Sequence, residues 1–441
     1  MLARKLLLGV LACGVGMALA LGCVIEEREY NPLASVGLGL ASVAECKTYC
    51  QTVQATCTGP YALYLTDDTD GDGIADDCMG ICQRLPAHGD SLTPGPDKSN
   101  SIACRQSQAE AAVSEPSETT CDGAGPAGSG RCGDTCETYC SLRASVCGDQ
   151  PDVDVDRCLR GCPALEPGNI YDSDPMSRQD TLQCRLNHLV FASRGADMAK
   201  VHCPHTSLVP QRSEGQPDPP CADASGTPGD CQTYCKLVTF ACQGADRVYE
   251  SAEQCLAVCK AFPLGTAEQT GSHAGENTVA CRRYHAYAAL GPEGPATHCP
   301  HAGPTGDGHC DVPEREQSNC FSYCRVLERA CPQQFAQSFF AGTAPRPSSV
   351  VVDNAATDAE DLGTCMESCM TVPGHDPDSR YSVERAAKVD MTDDQGDPQG
   401  DRGDVLQCRM LHAIRALGGS SGNLPTPSEC AAAMGVGDCQ Q

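Results

Sequence analysis

The sequence predicts an all-α, small disulfide-rich fold: four tandem modules of about three short helices each, stapled by Cx3C pairs. Three observations carry this expectation. Cysteine is dense, 34 of 441 residues. Core-forming aromatics are scarce, 4 % with no Trp. The cysteines also recur in one order four times: Cx3Cx6C, a loop, Cx3C, a second loop, one cysteine, then a closing pair. Such a density belongs to an oxidising compartment, where disulfides persist and can replace a large apolar core. Zinc ribbons need CxxC pairs, and the spacing here is Cx3C throughout.

The repeat divides the chain into a signal peptide (1–22), a tether (23–43) and repeats at 44–132, 133–221, 222–310 and 311–441. The first helix of each unit carries Cx3Cx6C, as in ECKTYCQTVQATC and DCQTYCKLVTFAC. Positions i, i+4 and i+11 fall at about 0°, 40° and 20° around a helix, so the three sulfurs share a face. Tyr49, Tyr139, Tyr234 and Tyr323 precede the second cysteine, a core or lid position. The second helix carries Cx3C and meets Pro86, Pro163, Pro263 or Pro373. The third starts near Asn100, Asp180, Asn277 or Asp404 and opens on Cys-Arg: CRQSQAEAA, CRLNHLVFA, CRRYHAYAA and CRMLHAIRA.

Two facing Cx3C helices can be stapled outer to outer and inner to inner. In unit two that pairs Cys136 with Cys162 and Cys140 with Cys158. Cys147 is then expected to reach Cys184 on the third helix, with Cys203–Cys221 closing the tail. Eight cysteines allow about 105 pairings, so spacing alone leaves these open. The first two helices resemble the twin-Cx3C hairpins of small mitochondrial import chaperones, a likeness that implies a build and no function.

Arg4 and Lys5 precede an apolar run from Leu6 to Leu21, the pattern of a secretory signal. It ends Leu19-Ala20-Leu21-Gly22-Cys23, which resembles a bacterial lipobox. The resemblance implies cleavage before Cys23 and acylation of its sulfur, hence a membrane partner through the lipid and a place in the cell envelope, on the periplasmic or surface side of the outer membrane. The cysteine count agrees: four units of eight leave only Cys13, lost with the signal, and Cys23. Net charge is −27, and −29 once Arg4 and Lys5 are removed, so nucleic acid and anionic lipid are repelled. A protein or an envelope polymer is the expected partner.

Two groups of residues could carry binding chemistry. In DDTDGDGIADDC, Asp68, Asp70 and Asp72 alternate before Gly73. This matches the first half of an EF-hand-type calcium loop, with the Ile74 carbonyl and Asp76 as further ligands. The string resembles the thrombospondin type 3 loop, which implies calcium. It departs where Met79 stands at the twelfth position, for which Asp77 is the nearest substitute. The second group is histidine: His188, His285 and His412 lie four residues after the third-helix cysteine, and HCPH recurs as His202/His205 and His298/His301. If the closing segment folds back, units two and three each gather His188, His202 and His205, or His285, His298 and His301, a set suited to Zn or Cu. The competing expectation is that these histidines pack structurally, because unit one has Gln108 in place of the helix histidine and unit four keeps only His412.

No CxxCH, CxxC, GxSxG, HExxH or phosphate-loop motif occurs. The Arg402-Gly403-Asp404 string abuts a helix start and is taken as chance. The expected work is therefore non-catalytic: a lipid-anchored binding or structural array with calcium in its first repeat, or, as the alternative, a Zn- or Cu-handling protein using the histidines of repeats two and three.

Overall fold

The computed structural model describes residues 39–65, 67–89, 99–114, 116–150, 152–165, 180–209, 221, 229–265, 277–292, 294–310, 318–339, 362, 364–375, 380–390, 405–418, 426–436 and 439. The signal peptide, Cys23 and Arg402–Asp404 lie outside them, as does most of the long unit-four loops. Unit one holds α1 (Val43–Thr56), α2 (Asp76–Cys82), α3 (Ile102–Ser114) and α4 (Glu118–Ala124). Unit two holds α5 (Thr135–Val146), α6 (Val155–Gly161), α7 (Leu182–Ala192) and α8 (Ala196–His202). Unit three holds α9 (Gly229–Ala241), α10 (Ala252–Cys259), α11 (Val279–Ala288) and α12 (Gly294–Ala302). Unit four holds α13 (Ser318–Ala330), α14 (Pro332–Phe339), α15 (Thr364–Cys369), α16 (Val383–Asp390), α17 (Val405–Gly418) and α18 (Pro427–Ala433). Among the described residues the fold is all-helical, and the β pairing present is the isolated bridge Leu40–Pro86. Residues 39–43, expected as tether, are part of unit one: Ala41 donates to the Leu85 carbonyl and Ala87 to that of Gly39.

Capping explains where the helices begin. Ser42 and Glu45 form a reciprocal capping box on α1. Asp134 caps α5 and Asp154 caps α6. The third helices of units one to three share one device: Ser101, Thr181 and Thr278 each accept from the backbone N–H of the cysteine three residues on, at 3.2 Å.

Every described disulfide closes within a unit. The Cx3C staples pair outer to outer and inner to inner, in unit two Cys136–Cys162 and Cys140–Cys158. The other pairs differ from the expectation. Cys147 bonds Cys203, not Cys184, and Cys184 bonds Cys221. The equivalents are Cys57–Cys121 with Cys104–Cys132, Cys242–Cys299 with Cys281–Cys310, and Cys331–Cys430 with Cys408–Cys439. The physical reason is a fourth helix. The closing segment is no tail hairpin; α4, α12 and α18 lie back against the first and third helices, and in unit two α8 lies against the third helix while the 3-10 turn Cys203–Thr206 that follows it meets the first. That brings the first closing cysteine to the end of the first helix. Each crosslink restricts the unfolded chain, by about 3 kcal/mol for a short loop and nearly 5 for a loop of about 100 residues.

Two buried side chains repeat through the array and tie this fourth helix down. Tyr49, Tyr234 and Tyr323 donate to the carbonyls of Ala124, Ala302 and Ala433 at 2.6, 2.6 and 2.5 Å, and Tyr139 donates to that of Thr206. Burial pushes the Tyr49 and Tyr323 hydroxyls up to about 12, so each stays a donor. Arg105, Arg185 and Arg282, the arginines of the third-helix Cys-Arg pairs in units one to three, are fully buried, whereas Arg409 of unit four is half-buried. Arg105 donates to the Gly125 and Pro126 carbonyls in the closing turn, to the Ser101 carbonyl and to Asn100 Oδ1. Arg185 does the same with Ser207, Leu208 and Thr181, and ion-pairs with Asp180 at 2.7 Å. Arg282 serves Gly303, Pro304 and Thr278 and lies over the Phe262 ring at 3.7 Å. A guanidinium fork can satisfy several carbonyls at once where a lysine cannot.

The units pack in series, the second helix and its preceding loop against the third helix of the next unit. Arg194, just past α7, pairs with Asp67 and Asp77 at 2.8 and 3.2 Å. Arg160 donates to the Leu290 carbonyl, and Tyr287 donates to that of Asp152 at 2.8 Å. Arg415 grips Glu250 with two donors. No helix among the described residues is long and apolar enough to cross a membrane.

Candidate metal centre

The fold-back of the fourth helix decides where the histidines meet. His188 lies one turn after Cys184 on α7, and the Cys147–Cys203 bond fixes the end of α8 beside it. His202 closes α8 and His205 sits in the short 3-10 turn Cys203–Thr206. His188 Nδ1 is 2.9 Å from His202 Nδ1 and 3.4 Å from His205 Nδ1. A tetrahedral ion with Zn–N bonds of about 2.0–2.1 Å sets its ligand nitrogens about 3.3–3.4 Å apart; the second separation matches this and the first is shorter, so the three nitrogens are close enough to share one small ion. Unit three repeats the arrangement. His285 Nδ1 is 3.1 Å from His298 Nδ1, and the ring centroids of His285, His298 and His301 are spaced 5.3, 4.8 and 6.1 Å apart. The corresponding spacings in unit two are 5.2, 4.8 and 6.1 Å. His301 Nδ1 is buried and has no hydrogen-bond partner.

The electrostatics suit ligation. Burial, reinforced by the neighbouring imidazoles, lowers His188 to about 3 and His205 to about 4. Burial and His309 lower His301 to about 3, and burial also lowers His202. These rings are neutral at pH 7, the form that binds a metal. The cysteine sulfurs near His188, His285 and His412 are locked in disulfides and offer no thiolate.

The other two units fill the same positions differently. In unit four, Glu429 takes the place of His202 and accepts from His412 Nδ1 at 2.6 Å. Sequence reasoning missed Glu429, although it precedes Cys430 as His202 precedes Cys203. The buried arginines and the Asp152–Arg143 pair, 2.7 Å apart, were missed as well. The Cys-Arg repeat was the available signal for the arginines; nothing pointed to Asp152.

The acidic loop of unit one is ordered by its own backbone. Asp68 accepts from the N–H groups of Gly71, Asp72 and Gly73, which hold its carboxyl below the usual range, the Gly73 bond foremost. Asp72 accepts from Ile74 N–H and pairs with Lys47 at 2.9 Å. Asp76 accepts from the Thr69 hydroxyl at 2.6 Å, and Asp70 from Asp72 N–H. Asp77 cannot serve as the twelfth-position acid: it turns inward to Leu65 N–H and Arg194, and burial raises its pKa.

Residues 228–313, which contain the whole unit-three histidine set, match the family model for the BfoA family C-terminal domain. The chain is also 37 % identical over 90 residues to the aurasperone B biosynthesis cluster protein A of Aspergillus niger, covering 20 % of this chain and 28 % of the relative. The bifonsecin B biosynthesis cluster protein A of Aspergillus brasiliensis is 35 % identical over 79 residues, 18 % of this chain and 25 % of that protein. The chain thus spans little more than a quarter of the length of these curated relatives, which are fungal and not bacterial. No solved structure matches it.

Proposed function

We propose that the chain is an extracytoplasmic, disulfide-stapled protein that holds zinc- or copper-class ions at His188, His202 and His205 and at His285, His298 and His301. The observation that carries this reading is the convergence of the Nδ1 atoms of His188, His202 and His205, at 2.9 and 3.4 Å, reproduced at 3.1 Å in unit three. Packing alone does not call for two half-buried imidazole trios with the same ring spacings. Three neutral nitrogens with a fourth position left for solvent suit uptake and release of an ion. The role is non-catalytic handling or presentation of the metal.

The remaining parts of the reading rest on sequence. Acylation of Cys23 would anchor the array to an envelope membrane, with a protein or envelope polymer as partner, and it rests on the Leu19–Cys23 string alone. That processing is bacterial, whereas the named relatives are from Aspergillus, so a secreted form without lipid is the second reading. Calcium at Asp68, Asp70, Asp72, Asp76 and the Ile74 carbonyl is a local clip on unit one, supported by the left-handed Gly73 at the sixth position, where such a loop turns sharply.

The test is elemental analysis of the oxidised 24–441 chain after equilibration with Zn(II) or Cu(II) and desalting. Close to two ions per chain are expected, falling to one with His188→Ala and to none when His285→Ala is added. Binding that ignores both substitutions would overturn the proposal.

A further inference from the structure

The unit-three pocket contains a fourth imidazole, and the inference below rests on the metal reading just given. In units one and three the last cysteine is delivered by the same turn. Gly128, Ser129 and Gly130 have φ of 67°, 44° and 70°; Gly306, Asp307 and Gly308 have 73°, 47° and 71°. The hydrogen bonds match: Arg131 and Cys132 donate to the Gly128 carbonyl at 2.8 and 2.9 Å, His309 and Cys310 to the Gly306 carbonyl at 2.9 and 3.0 Å. Each last cysteine then bonds the third helix, as Cys104–Cys132 and Cys281–Cys310. The scaffold therefore carries the residue before the last cysteine to one place.

In unit one that residue is Arg131. Its side chain lies 2.8 Å from where a Cβ on Gly123 would be, with Gln108 Oε1 3.2 Å from the same point. Gly123 and Gln108 are the counterparts of His301 and His285, so Arg131 covers the place of the metal pocket. In unit three the residue is His309. Its ring stacks on His301 at 3.6 Å and 19°, and stands edge-on to His285 at 5.7 Å. Beneath it is the buried, unpartnered His301 Nδ1. His309 itself is exposed, and its Nδ1 lies 3.4 Å from the Asp307 carbonyl, so a side-chain rotation turns its ring at the cost of that long contact. Unit two has Pro220 at this position.

We propose that unit three closes its coordination shell with His309, giving four imidazoles around a zinc-class divalent ion, whereas unit two holds its ion with three and leaves a position to solvent. The two repeats then differ in task. A four-ligand site retains its ion, and a three-ligand site exchanges it or admits a small anion.

Co(II) serves as the probe, because its visible spectrum reports ligand number. Two full-length proteins isolate the sites: His188→Ala with His202→Ala leaves unit three, and His285→Ala with His298→Ala leaves unit two. Mapped disulfides and helical circular dichroism check that both fold. In the unit-three protein, azide is expected to leave the Co(II) spectrum unchanged; adding His309→Ala is expected to weaken Co(II) binding at least tenfold and make the spectrum azide-sensitive. The unit-two protein is expected to be azide-sensitive from the start. Should the unit-two substitutions prevent folding, His309→Ala in the otherwise intact chain is expected to weaken one of two Co(II) classes and spare the other. Unit-three Co(II) binding with the same affinity and azide response with and without His309 would overturn this inference and leave the metal reading standing. No Co(II) binding in any folded protein would overturn both.

Discussion

Replacing Arg105 with leucine tests whether the buried guanidinium holds the closing turn. Four acceptors lose their donor: the carbonyls of Gly125, Pro126 and Ser101, and Asn100 Oδ1. The Ser101 carbonyl keeps the Arg105 backbone N–H, so its loss is the smallest. The Gly125 carbonyl likewise keeps the Gly128 N–H at 3.1 Å, so the Pro126 carbonyl matters most, since a buried acceptor left without a donor costs about 1–3 kcal/mol. Removing the charge returns the desolvation energy of a buried cation, a cost visible in the lowering of the Arg105 pKa by burial. The net expectation is on the order of 3 kcal/mol, felt locally in residues 125–132. A chain of serially packed, disulfide-closed units is not a two-state system, so a single melting temperature is the wrong readout. The Cys104–Cys132 bond lies under that turn and reports its opening. At about 1.4 kcal/mol per factor of ten, opening becomes about 100-fold more frequent. Timed reduction with dithiothreitol, alkylation and peptide mass spectrometry would follow each bond separately. Cys104–Cys132 is expected to reduce about 100-fold faster and Cys281–Cys310 to change by less than about twofold. An equal acceleration at all four equivalent bonds, or none, would refute the reasoning. Arg105→Lys should fall between, because a point charge cannot serve the spread of acceptors that the fork does.

Three further outcomes follow from the same geometry. Cys203→Ser is expected to leave Cys147 as the free thiol, read by alkylation; a free Cys221 would restore the tail hairpin instead. In metal-stripped protein, burial lowers His188 to about 3 and His205 to about 4 from the ordinary 6.5, so the unfolded chain binds the extra protons; the stability of unit two is complete above pH 6.5 and declines as the pH falls toward 4, and amide protection factors in α7 and α8, corrected for intrinsic exchange, that stay flat between pH 7 and 4 would contradict this. Gly161→Val places its Cβ 2.5 Å from Leu290 Cδ1 and 2.6 Å from Leu208 Cδ1, a strain of about 1–3 kcal/mol expected to raise hydrogen exchange in α6 and α11 while α1 and α3 are unchanged; exchange that rises equally in all units would show that the contact is not local.

The parts of the fold legible in the sequence were those with a period. The Cx3C spacing fixes two sulfurs on one helical face, so the α5–α6 hairpin and its two staples could be drawn from Cys136, Cys140, Cys158 and Cys162. The fourth helix had no such signal. Ala196–His202 has only seven residues, carries no side-chain cap and runs into Pro204, so it read as a tail. Missing that helix exchanged the partners of Cys147 and Cys184, since nothing else could bring Cys203 to the end of α5.

The same omission shaped the reading of the histidines. Their absence from units one and four argued against a shared site, on the premise that repeated positions keep repeated chemistry. The structure keeps the positions and varies the contents. Unit four holds the His412–Glu429 pair where unit two has His188 and His202, and unit one has Gln108, Gly123 and Arg131 where unit three has His285, His301 and His309. What every unit needs is a filled, satisfied space between the third and fourth helices, because buried polar groups left unpaired are costly. An arginine folded over a glycine meets that need, as does a histidine hydrogen-bonded to a glutamate. Three neutral imidazoles meet it unevenly: in unit two the Nδ1 atoms lie within hydrogen-bond reach of one another, whereas in unit three His301 Nδ1 is left with no partner. Unit three is therefore the histidine unit in which a buried ring nitrogen goes unmet, a need that an added ion would meet.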